Sequence, residues 1–118
     1  MLRAVHGWVT SSLAAAGEPG RAVYVALVDG RIAGLVTVDR REHFTGQVDA
    51  YVGELAVARG LARRGIATQL MDAAETWAAR QGLAFLTLET GAANQPARAF
   101  YASRGFREED IRLTKAIA

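Results

Sequence analysis

Two apolar runs meet at a single Asp-Gly pair, and that junction constrains the fold of this chain more than any other feature. Ala22 to Val28 is continuous, apolar and partly β-branched; Asp29 and Gly30 follow, and Arg31 to Val38 resumes the pattern. Asp and Gly both tolerate the positive φ that a tight hairpin turn needs, so the runs are expected to pair as antiparallel strands. Asp39 to Gly46 is polar and reads as a loop, and Val48 to Val57 reads as a third strand. A different period then takes over. Within Arg64 to Gln81, residues Ile66, Leu70, Met71, Ala74, Trp77 and Ala78 trace one face of a helix, and Gly82 stops it. Leu83 to Thr90 is a strand by content. Asn94 to Ser103 is expected to be helical, with Asn94 as its cap and Pro96 in the first turn, and Gly105 closes it. Ile111 to Ile117 is expected as a last strand. Ahead of the hairpin, Leu2, Val5, Val9 and Leu13 recur at helical spacing, so residues 2–16 are expected to form an amphipathic helix that ends at Gly17 to Gly20. The predicted order is α-β-β-β-α-β-α-β, an α/β fold around a central sheet of mixed direction.

Size and charge narrow the function classes. A chain of 118 residues is too short for two independent cores, so one domain over 1–118 is expected. No run approaches the roughly 18 apolar residues of a membrane span, and Met1 to Gly20 lacks the pattern of a secretory signal. No membrane partner is expected. There is no cysteine, hence no disulfide framework, thiolate metal site or cysteine nucleophile, which fits a cytoplasmic protein. A formal charge of only +2 gives no support to a nucleic-acid partner. The arginines are clustered instead: Arg59, Arg63 and Arg64 in one stretch, Arg98, Arg104 and Arg107 in another. A compact anionic ligand suits such clusters better than a long polyanion.

The stretch from Glu54 to Thr68 carries the most chemistry. A strand ends near Val57 and a helix starts near Arg64 or Gly65. A helix N-terminus presents unpaired backbone N–H groups and a partial positive charge. Gly65 and Ala67 have little or no side chain, so a phosphate can approach the backbone there, with Arg63 and Arg64 adding charge. A solvated surface turn is the plain alternative. No G-x-x-x-x-G-K-[ST] is present, nor a G-x-G-x-x-G followed by a ribose-binding acid, which argues against a P-loop NTPase and a dinucleotide site.

Leu55 and Val57, followed by Arg63, Arg64, Gly65, Ile66 and Ala67, resemble the acetyl-CoA motif of the GNAT superfamily, whose core is [Q/R]-x-x-G-x-[G/A]. Asn94 to Phe106, NQPARAFYASRGF, is similar to the same family's N-x-x-A-x-x-F-Y-x-x-x-G-F segment. One helix and one strand separate the two motifs, as the family requires, and the resemblance covers residues 22–118. The first motif departs from the family pattern at Ala62, where a Gln or Arg is usual. Members usually carry a strand and a longer helical region before the first hairpin. The resemblance therefore implies a GNAT-like sheet lacking the usual first strand, in a chain shortened at its N-terminus. An unpaired sheet edge is normally covered or paired, so either a homodimer completes the sheet or the coding start is placed too late.

The resemblance implies an acetyl-CoA-dependent N-acetyltransferase acting on a primary amine of a small molecule or peptide. The backbone N–H of Val57 would polarise the thioester, with Leu55 and Ala56 beside it on the strand end. The amides of Arg63, Arg64, Gly65, Ile66, Ala67 and Thr68 would hold the pyrophosphate. Asn94 would contact the pantetheine arm, and Arg98 and Tyr101 lie on its helix face by their spacing. Tyr101 is the candidate general acid for the departing thiolate. Glu54 is the candidate general base, partly desolvated among Val52, Leu55 and Val57, and Glu89 competes for that role. Either acid is equally read as a rim carboxylate that pairs an arginine. His6 and His43 have nothing to recommend them as bases, and no metal site is expected. Ala62 and the short N-terminus motivate an alternative, a non-catalytic acyl-CoA-binding or regulatory module.

Overall fold

The structure is a computed structural model that describes residues 2–5, 8–13, 19–61, 65–90, 94–109 and 113–117, the first two segments as backbone only. Strands β3 (Arg21–Val28) and β4 (Arg31–Glu42) form the expected hairpin. Asp29 at φ 51° and Gly30 at φ 77° supply its two left-handed turn positions. Strand β5 (Val48–Val57) runs antiparallel to β4 over its whole length, from Glu42↔Val48 to Gly34↔Val57. Strand β6 (Leu86–Thr87) joins β5 in parallel, so the sheet is of mixed direction.

Helix α1 (Ile66–Arg80) packs on one face of β3, β4 and β5. Its buried residues are Ile66, Leu70, Met71, Ala74, Trp77 and Ala78, the six positions that the helical spacing predicts. They meet small strand residues: Ala22 and Ala26 of β3, Gly34, Val36 and Val38 of β4, Ala50 and Val52 of β5. Small residues bring the helix close to the sheet. A Cβ at Gly34 would stand 2.7 Å from the Ala56 carbonyl oxygen and 3.1 Å from Leu70. Each fully buried Leu, Ile or Met on this face stabilises the fold by about 1.5–3 kcal/mol.

Helix α2 (Gln95–Ser103) starts as expected, with Asn94 Oδ1 accepting from the Ala97 N–H at 3.3 Å and Pro96 in the first turn. Arg104, just past its end, reaches α1 and bonds Asp72 and Glu75, both at 2.6 Å. Gly105 at φ 92° then turns the chain.

Four expectations are corrected. Where a helix over 2–16 is expected, the described residues are strands instead: β1 (Leu2–Val5) and β2 (Trp8–Leu13) are antiparallel, and β2 pairs with β3 from Trp8↔Val28 to Leu13↔Val23. The free edge of β3 offers a backbone ladder, and Val5, Val9 and Thr10 are β-branched residues that suit it better than helix. Strand β4 extends through Asp39 to Glu42, residues expected as loop, because β5 continues to pair with them. The strand expected over 83–90 shrinks to Leu86 and Thr87. Residues 113–117 of the expected last strand make no strand pairing, with Leu113 and Ile117 exposed; 111 and 112 lie outside the described residues.

Candidate functional site

Strands β5 and β6 pair only at Ala50↔Leu86 and Tyr51↔Thr87. Beyond Tyr51, β5 presents an edge without a strand partner among the described residues. A bulge decides which groups face that edge. In the β4–β5 register Val38 opposes Val52 and Thr37 opposes Glu54, so Gly53 is the extra residue. The Ala50 N–H donates to Phe85 O at 2.9 Å, toward β6, whereas the Ala58 N–H donates to Ala33 O at 2.7 Å, toward β4. N–H groups alternate across a strand. Counting back from Ala58, the N–H groups of Leu55 and Val57 point to the open edge, while Ala56 turns its N–H into β4. Without the bulge the parity would be reversed. The same shift moves the side chains: Leu55 and Val57 pack against the α1 core, and Glu54 and Ala56 are exposed on the opposite face.

The chain leaves this edge at Val57 and reaches Gly65, the residue before α1, eight positions later. Gly65, the N-cap, sits at φ 74° and supplies no side-chain cap, and the first turn holds no acidic residue. The first helical bond runs from the Gln69 N–H to Gly65 O at 3.1 Å. The N–H groups of Ile66, Ala67 and Thr68 therefore precede the intrahelical ladder. Ile66 anchors this turn through its buried side chain, while Gly65 and Thr68 are exposed. Backbone donors at an uncapped helix start, with the helix dipole behind them, fit an anionic ligand such as a pyrophosphate. Arg63 and Arg64, and the Ala62 departure, lie outside the described residues.

Tyr101 projects from α2 into an aromatic cluster, edge-on to Phe100 at 5.3 Å and to Phe106 at 5.6 Å between centroids. Burial pushes its phenol above the ordinary tyrosine value, so it stays protonated and able to donate at neutral pH. Asn94 spends its Oδ1 on the helix cap. Arg98 bonds Glu108 through Nε at 2.7 Å, and Arg104 is held by two acids of α1. Two arginines of the second cluster thus have acidic partners within the chain.

The two candidate bases part company. Glu54 is exposed on the face away from α1, not desolvated among apolar neighbours as expected. Glu89 is bonded to the Tyr51 hydroxyl; burial first, then this carboxylate, raise the Tyr51 phenol above its usual value. The Arg41 guanidinium lies over the Tyr51 ring, 3.8 Å from its centroid. Sequence reasoning missed Tyr51, whose partners come from β4 and from beyond β6. His43 is exposed in the β4–β5 turn, as the reading of a solvated loop expects, and its Nε2 is 3.0 Å from Oδ2 of the buried Asp49, whose Oδ1 accepts from Gln47 at 2.9 Å. That pair closes the β4–β5 hairpin. His6 lies outside the described residues. Among the described residues no group of acids and histidines has metal-site spacing, and no helix is long and apolar enough to cross a membrane.

Comparison with known proteins identifies the family. A model described as the acetyltransferase (GNAT) family matches residues 4–106. Among solved structures, the chain is similar to an aminoglycoside acetyltransferase from an uncultured soil metagenomic sample, at 28% identity and TM-score 0.73, covering 86% of this chain and 69% of that one. It is similar to a putative acetyl transferase from Pyrococcus furiosus, at 25% identity and TM-score 0.77, covering 82% and 66%. It also shares the fold of an aminoglycoside N-acetyltransferase in complex with CoA, at 20% identity and TM-score 0.75, covering 86% and 70%. The chain thus spans about two thirds of the length of these structures. A search of curated proteins finds no significant match.

Proposed function

Because this chain belongs to the GNAT acetyltransferase family, we propose that it transfers an acetyl group from acetyl-CoA directly to a primary amine. One observation carries the reading. The outward N–H groups of Leu55 and Val57 lead along the open β5 edge to the uncapped first turn of α1, a row of backbone donors in one stretch of chain.

When bound, acetyl-CoA supplies an activated thioester and a pyrophosphate. The first-turn amides of Gly65 to Thr68, with Arg63 and Arg64, would hold the pyrophosphate, and the strand-end N–H of Leu55 would bond the pantetheine arm. Val57 N–H donates to the thioester oxygen as negative charge develops there, the largest electrostatic contribution available from this backbone. Ala56, with its N–H in the sheet, takes no part in hydrogen bonding to the arm. Asn94 holds the start of α2 beside it through the cap, and Arg98 keeps the same helix face in place through Glu108. Glu54 or Glu89 receives the proton that the amine loses as its nitrogen bonds to the acyl carbon. Tyr101 gives its proton to the sulfur as the C–S bond breaks.

Tyr101→Phe tests the assignment. Turnover, followed by thiol release, is expected to fall about 10²–10⁴-fold with acetyl-CoA affinity retained. A wild type that binds acetyl-CoA yet acetylates no amine in a broad panel favours the second reading, a non-catalytic acyl-CoA-binding module, which Ala62 motivates. We infer a cytoplasmic homodimer as the setting. The absence of cysteine supports the first part, and the exposed Phe85, Leu113 and Ile117 support the second. Sedimentation measures the second directly.

A further inference from the structure

Helix α2 carries the candidate acid, Tyr101, yet none of its residues is fully buried. Phe100, Tyr101 and the nearby Phe106 pack partly buried against the core. Apolar contact of this kind is non-directional, so it holds the rings to the surface without fixing where on it they sit. Direction comes from Arg104. One of its nitrogens, Nη2, donates to Asp72 Oδ1 and to Glu75 Oε2, both at 2.6 Å, and short charge-assisted bonds are the strong ones. Asp72 and Glu75 are three residues apart, neighbours on the surface of α1. The N–H groups of Arg104 and Phe106 both donate to Tyr101 O, at 3.0 and 3.1 Å. Tyr101 and Arg104 are thus one unit, and the guanidinium pins that unit to α1.

As a device for stability alone this bridge is poor. The Arg104 side chain is only 14% exposed, whereas those of Asp72 and Glu75 are 62% and 44% exposed, so water can replace the arginine at both carboxylates. The Arg104 Nε is buried with no hydrogen-bond partner among the described residues. An apolar side chain of similar size would avoid that cost. What the bridge does supply is alignment. Helix α1 begins at the amides assigned above to the pyrophosphate, and α2 bears the phenol assigned to the sulfur.

We propose that Arg104 is a positioning residue for acetyl transfer, fixing Tyr101 relative to the thioester through Asp72 and Glu75. The proposal rests on the acetyl-transfer reading with Tyr101 as its acid. A misplacement of about 1 Å can slow such a step by on the order of 10²-fold, so a loosened α2 shows in the rate before it shows in cofactor binding.

The test is a double-mutant cycle in the full chain, with turnover followed by thiol release from acetyl-CoA. Arg104→Met is expected to lower kcat about tenfold while calorimetric affinity for acetyl-CoA stays within about twofold. Arg104→Lys regains part of the rate, because one ammonium can serve both acids. Asp72→Ala with Glu75→Ala, at exposed positions where alanine suits a helix, reproduces the loss and serves if the methionine variant does not fold. Arg80→Gln, exposed in the last turn of the same helix, leaves the rate unchanged. With Tyr101→Phe in place no acid remains to be positioned, so adding Arg104→Met changes kcat by less than about twofold. A merely structural role would multiply the two losses. Multiplied losses, or a parent-like kcat without the bridge, overturn the proposal and leave Tyr101 as the acid. A parent that turns over no amine, or Tyr101→Phe without effect, overturns the underlying reading and this proposal with it.

Discussion

The two faces of the sheet carry a glycine each, and the two glycines do opposite things. Gly34 lies under α1, where a Cβ would meet a backbone carbonyl and two core side chains. Gly53 lies on the other face, where a Cβ would meet only the hydroxyl of Thr37, at 2.9 Å. The α1 face is closed, apolar and densely packed, with Leu70, Met71 and Ala74 fully buried. The opposite face carries Asp39, Arg41, Tyr51 and Glu54 in partly or fully exposed positions. Stability is therefore concentrated on one face, and polar groups able to act on a ligand are gathered on the other and along the β5 edge between them.

Substitutions break or sharpen that contrast. Leu70→Ala empties the centre of the closed face and is expected to cost about 2–5 kcal/mol in denaturant unfolding. Gly34→Ala forces its methyl against the Ala56 carbonyl and is expected to cost about 1–3 kcal/mol. The same methyl at Gly53 meets the rotatable end of Thr37, so Gly53→Ala is expected to stay within about 0.5 kcal/mol of the parent. Equal losses at the two glycines would contradict the division of labour. The smallest effect is one of pH. Burial raises the Tyr101 and Tyr51 phenols above their unfolded value. Their stabilisation is whole below about pH 10 and is lost as pH rises through the folded values. Ultraviolet titration should show tyrosinate from these two residues later than from the unfolded chain, and Tyr101→Phe should remove part of the late signal.

Much of the closed face was legible in the sequence. The six buried positions of α1 follow from apolar spacing in a segment free of Gly and Pro, and Asp29-Gly30 fixed the hairpin. The Asn94 cap and Pro96 placed the start of α2. What escaped was decided by contacts distant in the chain. The spacing of Leu2, Val5, Val9 and Leu13 fits a helix, but the ladder on β3 outweighs it. The polar residues Asp39 to Glu42 look like loop because one sheet face is exposed, yet β5 pairs them. The apolar content of residues 83–90 promised a longer strand than the parting of β5 and β6 allows. No local signal marks the bulge beyond a glycine in a strand, although that bulge turns the N–H groups of Leu55 and Val57 toward the open edge. The Tyr51–Glu89 and His43–Asp49 pairs likewise join residues that no motif connects.

The central claim is that the first turn of α1 is the acetyl-CoA phosphate site. Gly65 caps the start of that helix and Gly82 follows its C-cap, Gln81, with nearly the same φ, 74° and 76°, and both have open space where a side chain would go. Valine at either position imposes the same left-handed strain, but only at Gly65 does it stand in the path of a phosphate. Calorimetric titration with acetyl-CoA of the parent, Gly65→Val and Gly82→Val separates strain from binding. The account predicts saturable binding that Gly65→Val weakens by about tenfold or more while Gly82→Val keeps it. No binding by the parent, or equal affinity in the two variants, would contradict it.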